Sequence, residues 1–322
     1  MRDRPLVSVA MCTYNGARFL KEQIDSILAQ SYPDIEIIIT DDGSTDDTPA
    51  ILAEYAARDA RVRWSVNEVN LGFVKNFEKA ISLCSGRYIA LADQDDLWDL
   101  RKIERFVETI GTNVMIYSDA ELIDAEGKPL GSYLIRPEKR PVAGSMPLAF
   151  VLDNCVSGNT LMFERSLLPR LLPIPEGVSF HDQWIAFAVS TSGTIAYTDA
   201  ALTRYRRYAA QVTHNAKKKA RGFAARLKEK RERKIAAAEK LHRNIRAFRT
   251  LHADAETEAV LDRLEAHYEG YVTRFYNVML LIRIWELRDR LFAMEPSALK
   301  RVARALKLPM GLRCYEVTLF TL

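Results

Sequence analysis

Three aspartates, Asp93, Asp95 and Asp96, fall within four residues in the stretch ALADQDDLWDL, directly after the apolar run RYIALA. Carboxylates held this close repel one another, so a fold that fixes them on one strand end must set a cation or partner against them. Acids at i and i+2 on a strand-end loop suit a hard divalent ion, Mg²⁺ or Mn²⁺, that keeps open positions for phosphate oxygens. A structural role accounts for one of them, since Asp96 or the later Asp99 is a candidate cap for the helix pattern LRKIERFVETI. One cap needs one Asp. Two other polar clusters also follow apolar runs: TYNG (Thr13 to Gly16) and DDGSTDDT (Asp41 to Thr48). Each reads as an ordinary turn by itself, with Ser44 or Thr45 available to cap the helix that begins TPAILAEY.

The elements that must position these clusters are legible from periodicity. LVSVAMC, IEIIIT, VRWSV, RYIALA and NVMIYSD are strand candidates. Between the first four lie RFLKEQIDSILAQ, TPAILAEYAAR and FVKNFEKAISLC, with apolar residues at helical spacing. Such a βαβα series predicts a mostly parallel, helix-covered sheet with ligands outside the carboxyl ends of its strands. All three clusters follow strands, so they are expected to converge on one crevice.

Length and charge set the frame. A chain of 322 residues with 48% hydrophobic and 27% charged residues indicates a packed core and one large domain with a smaller appendage. Cys12, Cys84, Cys155 and Cys314 are widely spaced with no CxxC pair, which points away from zinc and disulfides and toward a reducing, cytoplasmic compartment. The short apolar run near the N-terminus has no signal-peptide pattern, and VMLLIRIW, interrupted by Arg283, is too short to span a bilayer. The net charge of +4 is unevenly spread. Residues 1–215 carry 22 Lys and Arg against 29 Asp and Glu, residues 216–250 carry 14 against 3, and residues 251–322 carry 10 against 10. Charge alone leaves nucleic acid, anionic lipid and a solvated helix face open for the basic segment.

The ordered motifs VSVAMCTYNG, IIITDDGSTDDT, NLGFVKNFEKA and ALADQDDLW resemble the nucleotide-diphospho-sugar-binding half of inverting glycosyltransferases of family 2. The resemblance spans residues 5 to about 215, and the DQDDLW form resembles the rhamnosyltransferase-like subgroup that assembles bacterial surface polysaccharides, O-antigen among them. It implies an α/β GT-A fold, a Rossmann-like mixed sheet, with a C-terminal α-helical extension, divided as a catalytic domain over residues 1–215 and a helical domain over 216–322. It also implies that Thr13, Tyr14, Asn15, Asp41 and Asp42 line the nucleotide pocket, with Asn70, Gly72, Lys75 and Asn76 on the donor side. By the same likeness Asp93 faces ribose or metal and Asp95, the last acid of the DxD, is the first choice of metal ligand.

In the second half, NCVSGNTLMFERSLL resembles the turn and strand that hold the donor sugar, which brings Gly158 and Asn159 close to substrate. An inverting displacement needs a carboxylate near the acceptor hydroxyl. Asp182, in SFHDQW, matches the family's base, although an N-cap would use the same residue type. His181 is expected to position substrate, and Trp184 is either a sugar platform or a core indole. One departure concerns the segment YRRYAAQVTHN, where the family often has YRQHxxN and this chain has Tyr208 in place of the histidine. That leaves His214, Arg204, Arg206 and Arg207 as substitutes, with Arg206 and Arg207 taken as donor-site residues.

The remaining chain reads as helical. Phe223, Leu227, Ala238, Leu241, Ile245 and Phe248 keep one face, and Val260, Leu264, Tyr268, Tyr271, Phe275, Val278, Ile282 and Trp285 another, with a turn at HADAE. These stripes predict packing on the catalytic domain or a homo-oligomer, and the basic residues 216–250 predict peripheral association with an anionic cytoplasmic membrane face, the inner membrane. The expected partners are a dTDP-, UDP- or GDP-sugar donor and a glycan or lipid-linked glycan acceptor, with no nucleic acid. Two other readings remain: a sugar nucleotidyltransferase, for which TYNGARF lacks a Gly-rich basic loop, and a non-catalytic nucleotide-sugar scaffold.

Overall fold

A computed structural model describes residues 4–208, 223–273 and 276–312. The chain runs β1 (Val7–Thr13), α1 (Ala17–Leu28), β2 (Ile35–Asp41), α2 (Thr48–Arg58), β3 (Val62–Val66), α3 (Phe73–Ser82), β4 (Tyr88–Ala92), β5 (Leu97–Trp98) and α4 (Lys102–Thr109). It continues with β6 (Met115–Ile123), β7 (Pro129–Tyr133), α5 (Pro147–Leu152), β8 (Leu161–Glu164), α6 (Leu168–Leu171), α7 (His181–Ser190) and β9 (Ile195–Arg206). Helices α8 (Phe223–Arg249), α9 (Ala255–Glu269), α10 (Val278–Leu291) and α11 (Ala298–Lys307) follow.

One sheet has the strand order β3-β2-β1-β4-β8-β6-β9-β5, with β7 paired to β6. The first four strands are parallel, as the βαβα rhythm predicts. Beyond them the sheet is mixed, because β8 enters antiparallel between β4 and β6. The two-residue β5, antiparallel to β9, is too short to leave a periodic trace in the sequence. Alternation along the strands divides two cores: Val7, Val9, Ile37 and Ile39 pack toward Leu20, Ile24 and Leu52, while Ala10 and Ile38 pack toward Phe77 and Ile81.

The C-terminal helices continue the second of these cores. Ile245, Phe248, Val260, Leu264, Ile284 and Leu291 belong to the same apolar cluster as Trp184 and Phe187. Phe248 stacks on Phe187 with ring centroids 4.2 Å apart. Asp254 caps α9 by accepting from the Glu256 and Thr257 amides, which fixes the turn read in HADAE. The expected stripe fails on α10: Val278, Ile282 and Trp285 are exposed, and Leu280, Ile284, Leu287 and Leu291 face inward instead. Helix α9 ends at Glu269 and α10 begins at Val278, which resets the helical phase, so a stripe extrapolated across the two lands on the wrong face. The side chains of Phe223, Leu227, Phe275 and His214 lie outside the described residues. Among the described residues no helix is long and apolar enough to cross a membrane.

Candidate active site

The three polar loops meet at the carboxyl ends of β1, β2 and β4, tied to one another by side chains. Gln94 clasps Tyr14, accepting from its amide at 2.8 Å and donating to its carbonyl at 3.2 Å. A Cβ on Gly16 would lie 2.2 Å from Gln94 Oε1, so only glycine leaves room for that clasp. Asn15 takes a left-handed φ of 49° and links across to the second loop, its Oδ1 accepting from the Thr45 amide and its own amide donating to Ser44 Oγ. Ser44 is therefore no helix cap. Asp46 accepts from the amides of Thr48 and Ala17 and holds both helix starts.

The floor of the crevice is buried and internally bonded. Asp41 accepts from Thr13 Oγ1 at 2.7 Å and from the hydroxyl and amide of Ser44. Asp42 accepts from Asn67 Nδ2 and from the amides of Leu71 and Gly72, while Asn70 Nδ2 donates to its carbonyl. Asn76 bridges the Thr40 carbonyl and Asn67. Tyr14 stands half exposed above this floor. Asp41 and Asp42 each keep a lone-pair direction beyond these bonds, and the pocket they brace has fixed walls.

The aspartate triplet separates into three environments. Asp96 is fully buried, with Oδ1 accepting from the Arg206 amide at 2.9 Å and Oδ2 bonded by Asn159 Nδ2. Burial and neighbouring Asp95 push it up to about 7, against these hydrogen bonds. It caps nothing; the bond to the Arg101 amide comes from Asp99. Asp95 is partly buried, its Oδ2 accepting from the Tyr208 hydroxyl at 2.8 Å. Asp93 is driven well above the usual carboxylate range by burial first, then by Asp96, Asp95 and Asp182. Asp93 thus feels Asp95, Asp96 and Asp182, and the buried Lys102 amine, itself lowered by burial, opposes the charge of Asp93 and Asp96. Of these, Asp93 and Asp95 offer hard carboxylate oxygens of the type that suits a divalent ion, whereas Asp96 is taken up by Asn159 and the Arg206 amide.

Lys102 carried no signal in the sequence, where it reads as one charge in a helix. Its amine is fully buried, donating to the Asn159 carbonyl at 2.6 Å and Thr203 Oγ1 at 3.0 Å, 3.7 Å above the Trp98 ring. Gln94 was also missed, because a polar residue between aspartates looks like loop filler.

Across the crevice, Asp182 lies in the first turn of α7, and Oδ1 accepts from Asn154 Nδ2 at 3.1 Å and the Gln183 amide. Burial raises it to about 6. It borders a cavity of about 350 Å³ whose other walls are Asn154 to Ser157 and the loop from Leu134 to Lys139. Gly158 must be glycine, since a Cβ there would sit 2.7 Å from His181 Nε2. His181 stacks on Phe77 at 4.1 Å, and burial lowers it to about 3, so its ring is neutral.

Four expected site residues face elsewhere. Trp184 is a core indole, 1% exposed, with Nε1 donating to the Leu171 carbonyl; it offers no ring to a sugar. Lys75 is bonded to Glu78 and the Ile174 carbonyl, which spends its charge on packing α3. Arg206 is 1% exposed and spreads its guanidinium over the Asp95 and Ala125 carbonyls and Glu22. It positions the aspartate loop instead of meeting phosphate. Arg207, just past the end of β9, holds its guanidinium 4.9 Å from the Tyr205 ring centroid.

Comparison with known proteins agrees with this geometry. Residues 8–167 match the family model for glycosyl transferase family 2. An uncharacterized glycosyltransferase of Rickettsia prowazekii is 30% identical over 219 residues, covering 66% of this chain and 67% of that protein. Among solved structures, S. aureus TarS 1-349 in complex with UDP-GlcNAc superposes with a TM-score of 0.58 at 18% identity, covering 89% of this chain and 81% of that one. The mannosyltransferase PcManGT of Pyrobaculum calidifontis, solved with GDP-Man and Mn²⁺, gives a TM-score of 0.53 at 19% identity over 98% of this chain and 84% of that one. At these identities the structures speak to the fold, which is GT-A. With the motifs, the sheet order and the sequence match in agreement, the chain belongs to glycosyl transferase family 2.

Proposed function

We propose that this glycosyltransferase transfers a sugar from a nucleotide diphosphate donor to a glycan acceptor by a single inverting displacement, with Asp182 as the base. The observation that carries the reading is the position of Asp182: it borders the cavity on one side, and its charge reaches Asp93 on the other. A carboxylate raised to about 6 is ionised at neutral pH yet more basic than an ordinary aspartate. Asp182 takes the proton of the acceptor hydroxyl while that oxygen attacks the anomeric carbon. The bond from the anomeric carbon to the diphosphate oxygen breaks, and nucleoside diphosphate leaves on the opposite face. Asn154 and the Gln183 amide hold the carboxylate in line for that transfer.

Thr13, Tyr14, Asn15, Asp41 and Asp42 form the nucleotide side. The Asn70 to Gly72 turn borders the donor sugar and diphosphate, and the buried Gly158 and Asn159, the latter bonded to Asp96, support that wall from behind. Asp95 and Asp93 would hold Mg²⁺ or Mn²⁺, which when bound supplies positive charge to the departing diphosphate. The Mn²⁺ and GDP-Man of the Pyrobaculum neighbour and the UDP-GlcNAc of TarS support this donor class. The donor sugar is proposed to be a hexose of the rhamnose type and the acceptor a growing surface polysaccharide. The exposed basic face of α8 is proposed to rest on anionic lipid, and the apolar outer face of α10 to meet a second copy.

A thermal-shift screen of dTDP-, UDP- and GDP-sugars with and without Mn²⁺ tests the donor assignment. The expected result is one donor that stabilises the protein in a metal-dependent way and is released as free sugar on incubation. Binding without turnover in any acceptor extract would replace the transferase by a nucleotide-sugar scaffold.

A further inference from the structure

The basic segment over residues 216–250 turns one cation and one amide back onto the base. Helix α8 packs along α7, and its residues Lys240 and Asn244 stand one turn apart on the face that meets Ser179 to Gln183. Asn244 is 5% exposed and uses both ends of its amide there. Its Oδ1 accepts from the Ser179 amide at 3.0 Å, and its Nδ2 donates to Gln183 Oε1 at 3.3 Å. Gln183 Nε2 donates in turn to the Phe150 carbonyl at 2.9 Å, while the Gln183 amide holds Asp182 Oδ1. Bonds on either side of Asp182 therefore converge on one buried side chain, brought from far along the chain.

Lys240 lies one turn before Asn244. Its Nζ is 3.9 Å from the Phe180 ring centroid, a cation–π contact that fixes the end of an otherwise flexible side chain. Phe180 immediately precedes α7, two residues before Asp182, and its ring centroid is 6.0 Å from that of Phe73, which opens α3 beside the donor-side turn. Burial and Arg243 lower the Lys240 ammonium and the charge of Asp182 raises it, so the two groups share a field. The other charged groups around the base are Asp93 from the loop after β4 and Arg136, Glu138 and Lys139 across the cavity. Lys139 is engaged by Asp153, and Arg136 lies 3.9 Å from Glu138 on the exposed rim. An ammonium on the flank of a buried carboxylate favours its ionised form, against the burial that favours the neutral one.

We propose that α8 sets the base: Asn244 is a positioning residue that holds Ser179 and Gln183 on either side of Asp182, and Lys240, fixed on Phe180, is the counter-charge of the Asp182 carboxylate. The C-terminal helices then belong to the reaction site as well as to the core. The assignment rests on the proposed function in taking Asp182 as the base; the contacts and the shared field do not require that reading.

Carbon-13 NMR of the whole chain labelled at its aspartate carboxyls tests the charge without any substrate, the Asp182 signal being assigned by its loss in Asp182→Asn. The Asp182 midpoint, about 6 in the parent, is expected to rise by roughly half a unit in Lys240→Met, which keeps the stem and deletes the charge. Lys240→Arg, which keeps the charge, is expected to leave it at the parental value. An unchanged midpoint in Lys240→Met would overturn the counter-charge. Hydrogen exchange of the Ser179 amide tests the brace: it is expected to quicken roughly fivefold in Asn244→Leu, the worth of one hydrogen bond, and to stay near the parent in Asn244→Asp, which keeps the accepting oxygen. Parental exchange in Asn244→Leu, or equal acceleration in both variants, would overturn the positioning role. If the midpoint moves as expected while Asp182→Asn transfers sugar at the parental rate, the base assignment fails and the counter-charge stands. A fixed midpoint together with an inactive Asp182→Asn means the reverse.

Discussion

The hydroxyl of Tyr208 donates a 2.8 Å hydrogen bond to Oδ2 of Asp95, across more than a hundred residues of chain. Tyr208 thereby ties the segment after β9 to the aspartate loop after β4. Its ring is braced by Phe19 at 5.0 Å, and burial next to Asp95 raises the phenol far above its ordinary range. It stays a donor at every working pH.

Tyr208→Phe keeps the ring packing and deletes that bond. Partners of a metal-binding carboxylate typically account for about 10–100-fold in metal affinity or activity. The expected outcome is a higher Mn²⁺ concentration for half-maximal donor binding, with a melting temperature close to the parent. An unchanged metal titration would show that the hydroxyl does not orient Asp95.

Asp182→Asn is expected to lower the transfer rate by about 10²–10⁴-fold while leaving donor binding intact. In the parent, kcat/KM should fall roughly tenfold per unit as pH drops below about 6, where the base becomes protonated. Stability carries the opposite sign. The folded pKa lies above that of a free aspartate, about 3.9, so the native state holds more protons between those values and loses stability as pH rises through them. Asn removes that penalty. Its melting temperature should exceed the parent's at pH 8 and converge with it near pH 4. A variant that transfers sugar at the parental rate would remove Asp182 from the chemistry.

Gly16→Ala drives a Cβ to 2.2 Å from Gln94 Oε1 and so unfastens the clasp on Tyr14. Donor KM should rise strongly with a loss of about 1 kcal/mol in stability, the ordinary worth of a hydrogen bond. Combining it with Gln94→Ala tests the cause. If the clash is responsible, the double variant is no less stable than Gln94→Ala alone; additive losses by chemical denaturation would refute it.

Lys102→Met deletes the buried amine that faces Asp96 and Asp93, which burial lowers well below the ordinary lysine range against the pull of those two acids. The Asn159 carbonyl and Thr203 hydroxyl lose a donor, and the acids lose the amine that opposes their charge. About 3 kcal/mol of folding stability should disappear in urea unfolding, with added Mn²⁺ recovering part of it if the ion is held by the same acids. Equal stability without metal would show that the amine does not oppose their charge.

The sequence by itself determined the rhythm of the first half and the convergence of its loops. Strand alternation in VSVAMCT and IEIIITD, and helical spacing between them, are local properties, and turns at strand ends must gather on one edge of a parallel sheet. It also determined that Asp93, Asp95 and Asp96 exceed what one helix cap can use. Tertiary structure alone decided how they divide. Asp96 is inward because Asn159, in the turn before β8, and the Arg206 amide of β9 arrive there; Asp95 meets Tyr208. The same long-range packing bound Arg206, Lys75 and Trp184 to protein partners and buried Lys102 against the Asn159 carbonyl. Residue type and spacing fix which groups a loop can offer. The direction each group faces depends on partners far along the chain, and one sequence window does not contain them.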